Sequence, residues 1–197
     1  MPYLQFFAKK MSEELKAIVE EMAKCRHSFI GKEISHEDVL KVLEAVGNFV
    51  RDYLLQNNVV VIPGIGTFAL SRQKLLISHL PIKYVINQKP VFQLAHALAL
   101  KFRLKWARIQ YETTLPERWL NPTTIALANQ LARSKVVLSM QEIVAYIEQM
   151  LATKRNVTIP FLRVGTLKIV GENWRMDFNH EFLNKVSLND VIHVAYD

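Results

Sequence analysis

Six histidines, one cysteine and eighteen carboxylates are the side chains of this 197-residue chain that could ligate a metal, attack an electrophile or move a proton. His27, His36, His79, His96, His180 and His193 fall in no H-x-x-x-H or H-E-x-x-H spacing, the arrangement that turns two imidazoles toward one zinc. Cys25 has no second cysteine for a disulfide or a metal knuckle. His27 stands only two positions away and would not face it on a helix, so a Cys/His nucleophile pair is not expected and Cys25 reads as a small, buried or half-buried apolar residue. Gly64-Ile65-Gly66 lacks the third glycine and the following helix of a dinucleotide site. No serine sits in G-x-S-x-G, and Asp177 and Glu181, which could share a face, read as a solvated pair. The chain is expected to be a non-enzyme, with no catalytic residue, metal or cofactor.

Charge is more informative than any single ionisable group. The formal net charge is +7, and between Asp52 and Glu112 there is no acidic residue, while Arg72, Lys74, Lys83, Lys89, Lys101, Arg103, Lys105 and Arg108 all lie there. A basic surface on the first half follows, and such surfaces raise the encounter rate with polyanions: nucleic acid, an acidic protein face such as that of tubulin, or an anionic membrane. A solvated face that is merely basic is the plain alternative. Trp106, Tyr111, Trp119 and Trp174 are either core residues or anchors in a partner interface, where Trp and Tyr are enriched. No apolar run reaches the roughly 18 residues that span a bilayer, and residues 1–10 are too short for a signal peptide, so a soluble, intracellular protein is expected.

The elements that would position these residues occur twice. Leu15, Ile18, Val19 and Met22 recur at helical spacing over residues 11–25, with Ser12 as N-cap, and Gly31 breaks the pattern. A second helix starts at Ser35, where Asp38 three residues on forms a capping-box pattern, and its apolar stripe from Val39 to Leu54 is wide enough to bury two sides. β-Branched Val59, Val60, Val61 and Ile62 then form a strand ending in a turn at Pro63-Gly64-Ile65-Gly66, and Thr67 opens the next strand. Residues 71–89 read as a hairpin arm with Val85 and Ile86 returning, ended by Pro90-Val91-Phe92. Residues 95–103 read as a short helix. In the second half, residues 123–132 form a helix after Pro122, Ser139 with Glu142 caps another, residues 157–162 and 166–170 are strands, Gly171-Glu172-Asn173 is a turn, and residues 180–186 close as a helix. Two homologous copies of one fold are the economical account: residues 1–105, an ordered aromatic and Pro-containing linker over 106–121, and a trimmed copy over 122–197.

Two helices, a three-stranded sheet with G-x-G-T-F at the first hairpin, Pro90-x-Phe92 after the arm and a terminal helix resemble the HU/IHF family of architectural DNA-binding proteins. The tandem order, with Arg155-Asn156-Val157 opening the second sheet, resembles more narrowly the eukaryotic HU-like domains of coiled-coil domain-containing protein 81 and its relatives. The resemblance implies an α+β class with two tandem domains, which could interlock as an internal pseudo-dimer. It also implies protein partners at the centrosome, basal body or ciliary axoneme, tubulin among them. Nonspecific binding of duplex DNA through the basic face, with a nuclear location, is the alternative. HU-type proteins kink DNA with two arms carrying R-N-P wedges. Here Pro81 follows Leu80, the tip is apolar, and the second copy has only Val170-Gly171-Glu172-Asn173-Trp174 where an arm would be. The candidate partner-binding residues are Arg72, Lys74, Leu80, Pro81, Lys83, Lys89, Lys101 and Arg103, with the four aromatics as anchor candidates.

Overall fold

A computed structural model describes residues 2–79, 82–187 and 192–194, with side chains over 13–79 and 83–187. Leu80 and Pro81, the expected tip of the arm, lie outside the described residues. Helix α1 runs Pro2–Ala23 and α2 runs His36–Leu55. They are followed by β1 (Val59–Ile62), β2 (Gly66–His79), β3 (Ile82–Leu94) and α3 (His96–Lys101). Strand β4 (Glu117–Trp119) and helix α4 (Pro122–Ala128) lead into α5 (Arg133–Ala152). The second sheet is β5 (Val157–Phe161), β6 (Gly165–Val170) and β7 (Asn173–Phe178), after which come α6 (His180–Ser187) and β8 (Ile192–Val194).

The capping box at Ser35 forms in full: the Ser35 side chain accepts from Asp38 N–H, and the Asp38 carboxylate accepts from Ser35 N–H at 3.1 Å. The Pro63–Gly66 turn also forms. Gly64 has φ +79°, and a Cβ on Gly66 would lie 2.4 Å from Gln93 O, so the first glycine supplies a left-handed conformation and the second a close approach. Gly31, with φ +82°, sits in the break between α1 and α2.

Four expectations are corrected. Ser12 is no N-cap, because α1 begins ten residues earlier at Pro2, a position where proline's fixed φ suits a first turn. Pro90-Val91-Phe92 does not end the arm: β3 continues to Leu94, with Pro90 opposite Leu70 in unbroken register. Proline is tolerated there because the pair needs no N–H from it. The helix after Pro122 stops at Ala128, and Gln130 turns the chain with φ +53°. Ser139 starts nothing, since α5 begins at Arg133 and buries Ser139 in its interior with its hydroxyl unpartnered.

Two strands were not foreseen. β4, within residues 106–121, pairs in parallel with β1, and β8 pairs antiparallel with β3, giving the sheet order β4-β1-β2-β3-β8. The other sheet is β5-β6-β7, with the short Gly171 turn at φ +58°.

One core runs through both halves. α2 lies against α5 and β5, α1 against α5 and β5, and α6 against α2 and β3. The contacts are reciprocal. In the first copy the β1–β2 turn meets α5, where a Cβ on Gly64 would lie 3.3 Å from Val144 Cγ2. In the second copy the β5–β6 turn meets α2, where a Cβ on Gly47 would lie 2.6 Å from Leu162 N. Phe68 of β2 meets Phe161 of β5 edge to face with centroids 5.0 Å apart. Three polar ties reinforce this junction: Lys135 Nζ to Asp38 Oδ2 at 2.9 Å, Arg155 and Tyr146 to Glu21 at 2.7 and 2.8 Å, and Glu142 to Ser28 and Phe29.

Candidate functional site

The residues with chemistry are used for structure. Cys25 is half-buried, its thiol donates to Glu21 O, and burial followed by the Glu142 and Glu21 charges pushes its pKa up, the opposite of an activated thiol. Asp177 is held below the usual carboxylate range by its bond from Lys168 and by Arg175, and Glu181 by Lys185. Each carboxylate is engaged by its own cations. Glu142 is buried on α5 and accepts from Ser28 Oγ at 3.0 Å and Phe29 N–H at 2.7 Å, which makes it the cap of a loop in the other half. Tyr146, whose pKa is raised first by burial and then by Glu21, is the donor in its tie to Glu21.

What projects from this core is the hairpin of β2 and β3. Side chains alternate along a strand, and the register sets Arg72 opposite Gln88 and Lys74 opposite Ile86 on the face that continues the core residues Phe68 and Leu70. Arg72 Nε donates to Gln88 Oε1 at 2.7 Å, buried Gln88 reaches Val186 O of α6, and Lys74 Nζ lies 3.9 Å from the centroid of the Tyr84 ring. Lys83 and Lys89 fall on the opposite face of the same hairpin. The arm therefore carries two cations on each side. Lys101 is paired with Glu148 of α5 at 2.8 Å, while Arg103, Lys105 and Arg108 are exposed on the segment after α3, Arg103 with φ +53°. Leu75, Leu76 and Ile77 stand 47, 44 and 59% exposed in succession. A continuous apolar run of this kind on a charged arm is unusual for a solvated surface.

The aromatic candidates divide. Trp106 donates to Leu94 O at 3.0 Å and packs at a tilt against the His96 ring, and Trp174 donates to Lys105 O at 2.8 Å and meets Phe92 edge to face. Tyr111 is half-buried, and Trp119 is 62% exposed on β4. The linker itself crosses the sheet: Trp106 bonds to Leu94, Ile109 N–H to Gln93 Oε1, and Glu112 N–H to Leu70 O. Ala69, which faces away from the helices, is buried. The turn between β6 and β7 is docked as well, its Glu172 O accepting from Lys105 N–H. The open edge of the arm escaped the sequence, because strand pairing is nonlocal; the apolar run beside it was readable.

A helical pair, a three-stranded antiparallel meander (β1-β2-β3, extended by β4 and β8, and β5-β6-β7) and a terminal helix, given twice, define a tandem HU-like protein of α+β class. The family model for CCDC81 eukaryotic HU domain 1 matches residues 16–106, and that for CCDC81 eukaryotic HU domain 2 matches residues 119–190. The chain belongs to the CCDC81 family of tandem eukaryotic HU-domain proteins.

Proposed function

We propose that this chain is a non-enzymatic interaction module that docks on a eukaryotic cytoskeletal assembly, at the centrosome, basal body or ciliary axonemal microtubules, through its single arm. The observation that carries this reading is the exposed run Leu75, Leu76 and Ile77 on a hairpin flanked by Arg72, Lys74, Lys83 and Lys89. Apolar side chains gain nothing from phosphates but gain from burial in a protein interface, while the cations favour an acidic partner such as tubulin. The reciprocal fit of each turn against the other copy's long helix supports an internal pseudo-dimer, one chain doing what two HU subunits do together. That pseudo-dimer has one arm instead of two, its second hairpin tip is tied to Lys105, and its linker crosses the outer face of the first sheet, so it cannot embrace a duplex from both sides. Cosedimentation with microtubules tests the reading: the chain should pellet with them at physiological salt, and Leu76→Glu with Ile77→Glu should abolish it.

The four arm cations favour one second reading, sequence-nonspecific duplex binding with a nuclear location. It requires band retardation at low salt that falls steeply as salt rises, since counterion release drives such binding.

A further inference from the structure

Pro90 has no N–H to give, and it stands opposite Leu70 in the β2–β3 ladder. The N–H and C=O of Leu70 therefore point away from β3, and Leu70 O accepts from Glu112 N–H at 3.0 Å on that side. The two-residue period carries the same direction to Arg72, Lys74 and Leu76, as far as the irregularity between Leu76 and Ser78. Among the described residues β1 pairs with β2 at Gly66, Thr67 and Phe68, and no strand pairs with β2 beyond them except β3. An edge of three outward-facing residues, without proline, is left open. The other edge of the same arm demonstrates what it can accept, because β8 adds to β3 there at Lys83, Tyr84 and Val85.

We propose that this edge of β2 takes an extended, acidic segment of a partner protein as an added strand. The segment's backbone pairs with Arg72, Lys74 and Leu76, its carboxylates lie on the face of Arg72 and Lys74, and its alternate apolar side chains cover Leu75 on the other face. Charge complementarity selects this occupant: neither β2 nor β3 carries an acidic residue, and Glu112, whose charge interacts with Arg72 from the linker, is itself bonded by Thr114. A second copy of the chain is disfavoured: antiparallel self-pairing centred on Lys74 sets Lys74 against Lys74. The inference rests on the protein-docking reading and adds to it the mode and chemistry of the contact.

The test uses the full chain and a fluorescein-labelled peptide of alternating Glu and Val, about eight residues long, a common strand length, read by fluorescence anisotropy. The peptide should bind, and a Lys/Val peptide should not. The same Glu/Val peptide N-methylated at every second residue, on the edge that meets the arm, should bind at least about tenfold more weakly through loss of its backbone bonds. This leaves the protein unaltered, so folding cannot confuse the result. Lys74→Pro should weaken the plain peptide comparably, and Lys74→Ala only about threefold, the loss of one surface charge. Equal binding of the plain and methylated peptides overturns strand addition in favour of charge attraction alone, and binding of duplex DNA but of neither peptide overturns it outright. Microtubule pelleting that survives Lys74→Pro also overturns strand addition while leaving the docking reading intact. Peptide binding without pelleting sinks the cytoskeletal reading alone.

Discussion

Ser139 and Glu142 have the spacing of a capping box and do something else. Ser139 is fully buried inside α5 with no partner for its hydroxyl, while Glu142 reaches across to Ser28 and Phe29. An N-cap serine replaced by alanine costs about 1 kcal/mol, whereas an unsatisfied buried hydroxyl replaced by alanine is neutral or favourable. Urea unfolding of Ser139→Ala should therefore give unchanged or higher stability. Glu142→Gln, which exchanges one of two used acceptor oxygens for a donor facing a donor, should lose about 1–3 kcal/mol. Asp38 carries the pH dependence of the same junction. Burial acts to raise its pKa, but the bonds from Lys135 and Ser35 and the Lys135 charge outweigh it and hold the carboxyl below its usual range. A depressed folded-state pKa means that its stabilisation is present above the unfolded value near pH 4 and is lost as pH falls through the folded one. Stability measured between about pH 5 and pH 2 should fall more gently in Asp38→Asn than in the wild type. The spacing of Ser139 and Glu142 looked like a cap because the pattern is local, and the partner that claims Glu142 is over a hundred residues away.

Among the elements, the periodic helices and the strands flanking the Gly turns were legible, and the two short strands that add to an existing sheet edge were not. The apolar stripe of α2, the Ser35 box and the Pro63–Gly66 turn are each written in fewer than twenty neighbouring residues, and they form as the sequence implies. Glu117-Arg118-Trp119 has no strand alternation and becomes β4 only because β1 offers it an edge; β8 likewise exists because β3 does. Helix α2 yields a test of how closely the copies meet. Alanine is favoured over glycine within a helix by about 1 kcal/mol. At Gly47, however, a Cβ would sit 2.6 Å from Leu162 N and 2.7 Å from Leu162 O, backbone atoms that cannot rotate aside. The clash should outweigh propensity, and Gly47→Ala should destabilise by about 1–3 kcal/mol in thermal or urea unfolding. A stabilised Gly47→Ala would mean that the β5–β6 turn does not seat on α2.

For the whole molecule, a core that runs through both halves predicts one cooperative transition, seen by calorimetry as a single peak. Two separable transitions, or two halves tumbling independently, would contradict the pseudo-dimer. The same joining explains why the repeated fold was legible while its use was not: the Gly-Thr hairpin base, Gly66-Thr67 and Gly165-Thr166, is the signature of the scaffold, but the proposed docking mode depends on a strand edge set by pairings far apart in the chain. The central claim is that the arm is a protein-docking element and that the DNA-bending role of the wider HU family is not carried out by this chain. The most direct measurement is cosedimentation of the full chain with stabilised microtubules in the presence of excess duplex DNA. The account predicts that the chain stays in the microtubule pellet and that the DNA does not draw it off. A chain left in the supernatant, bound to the duplex, would contradict it.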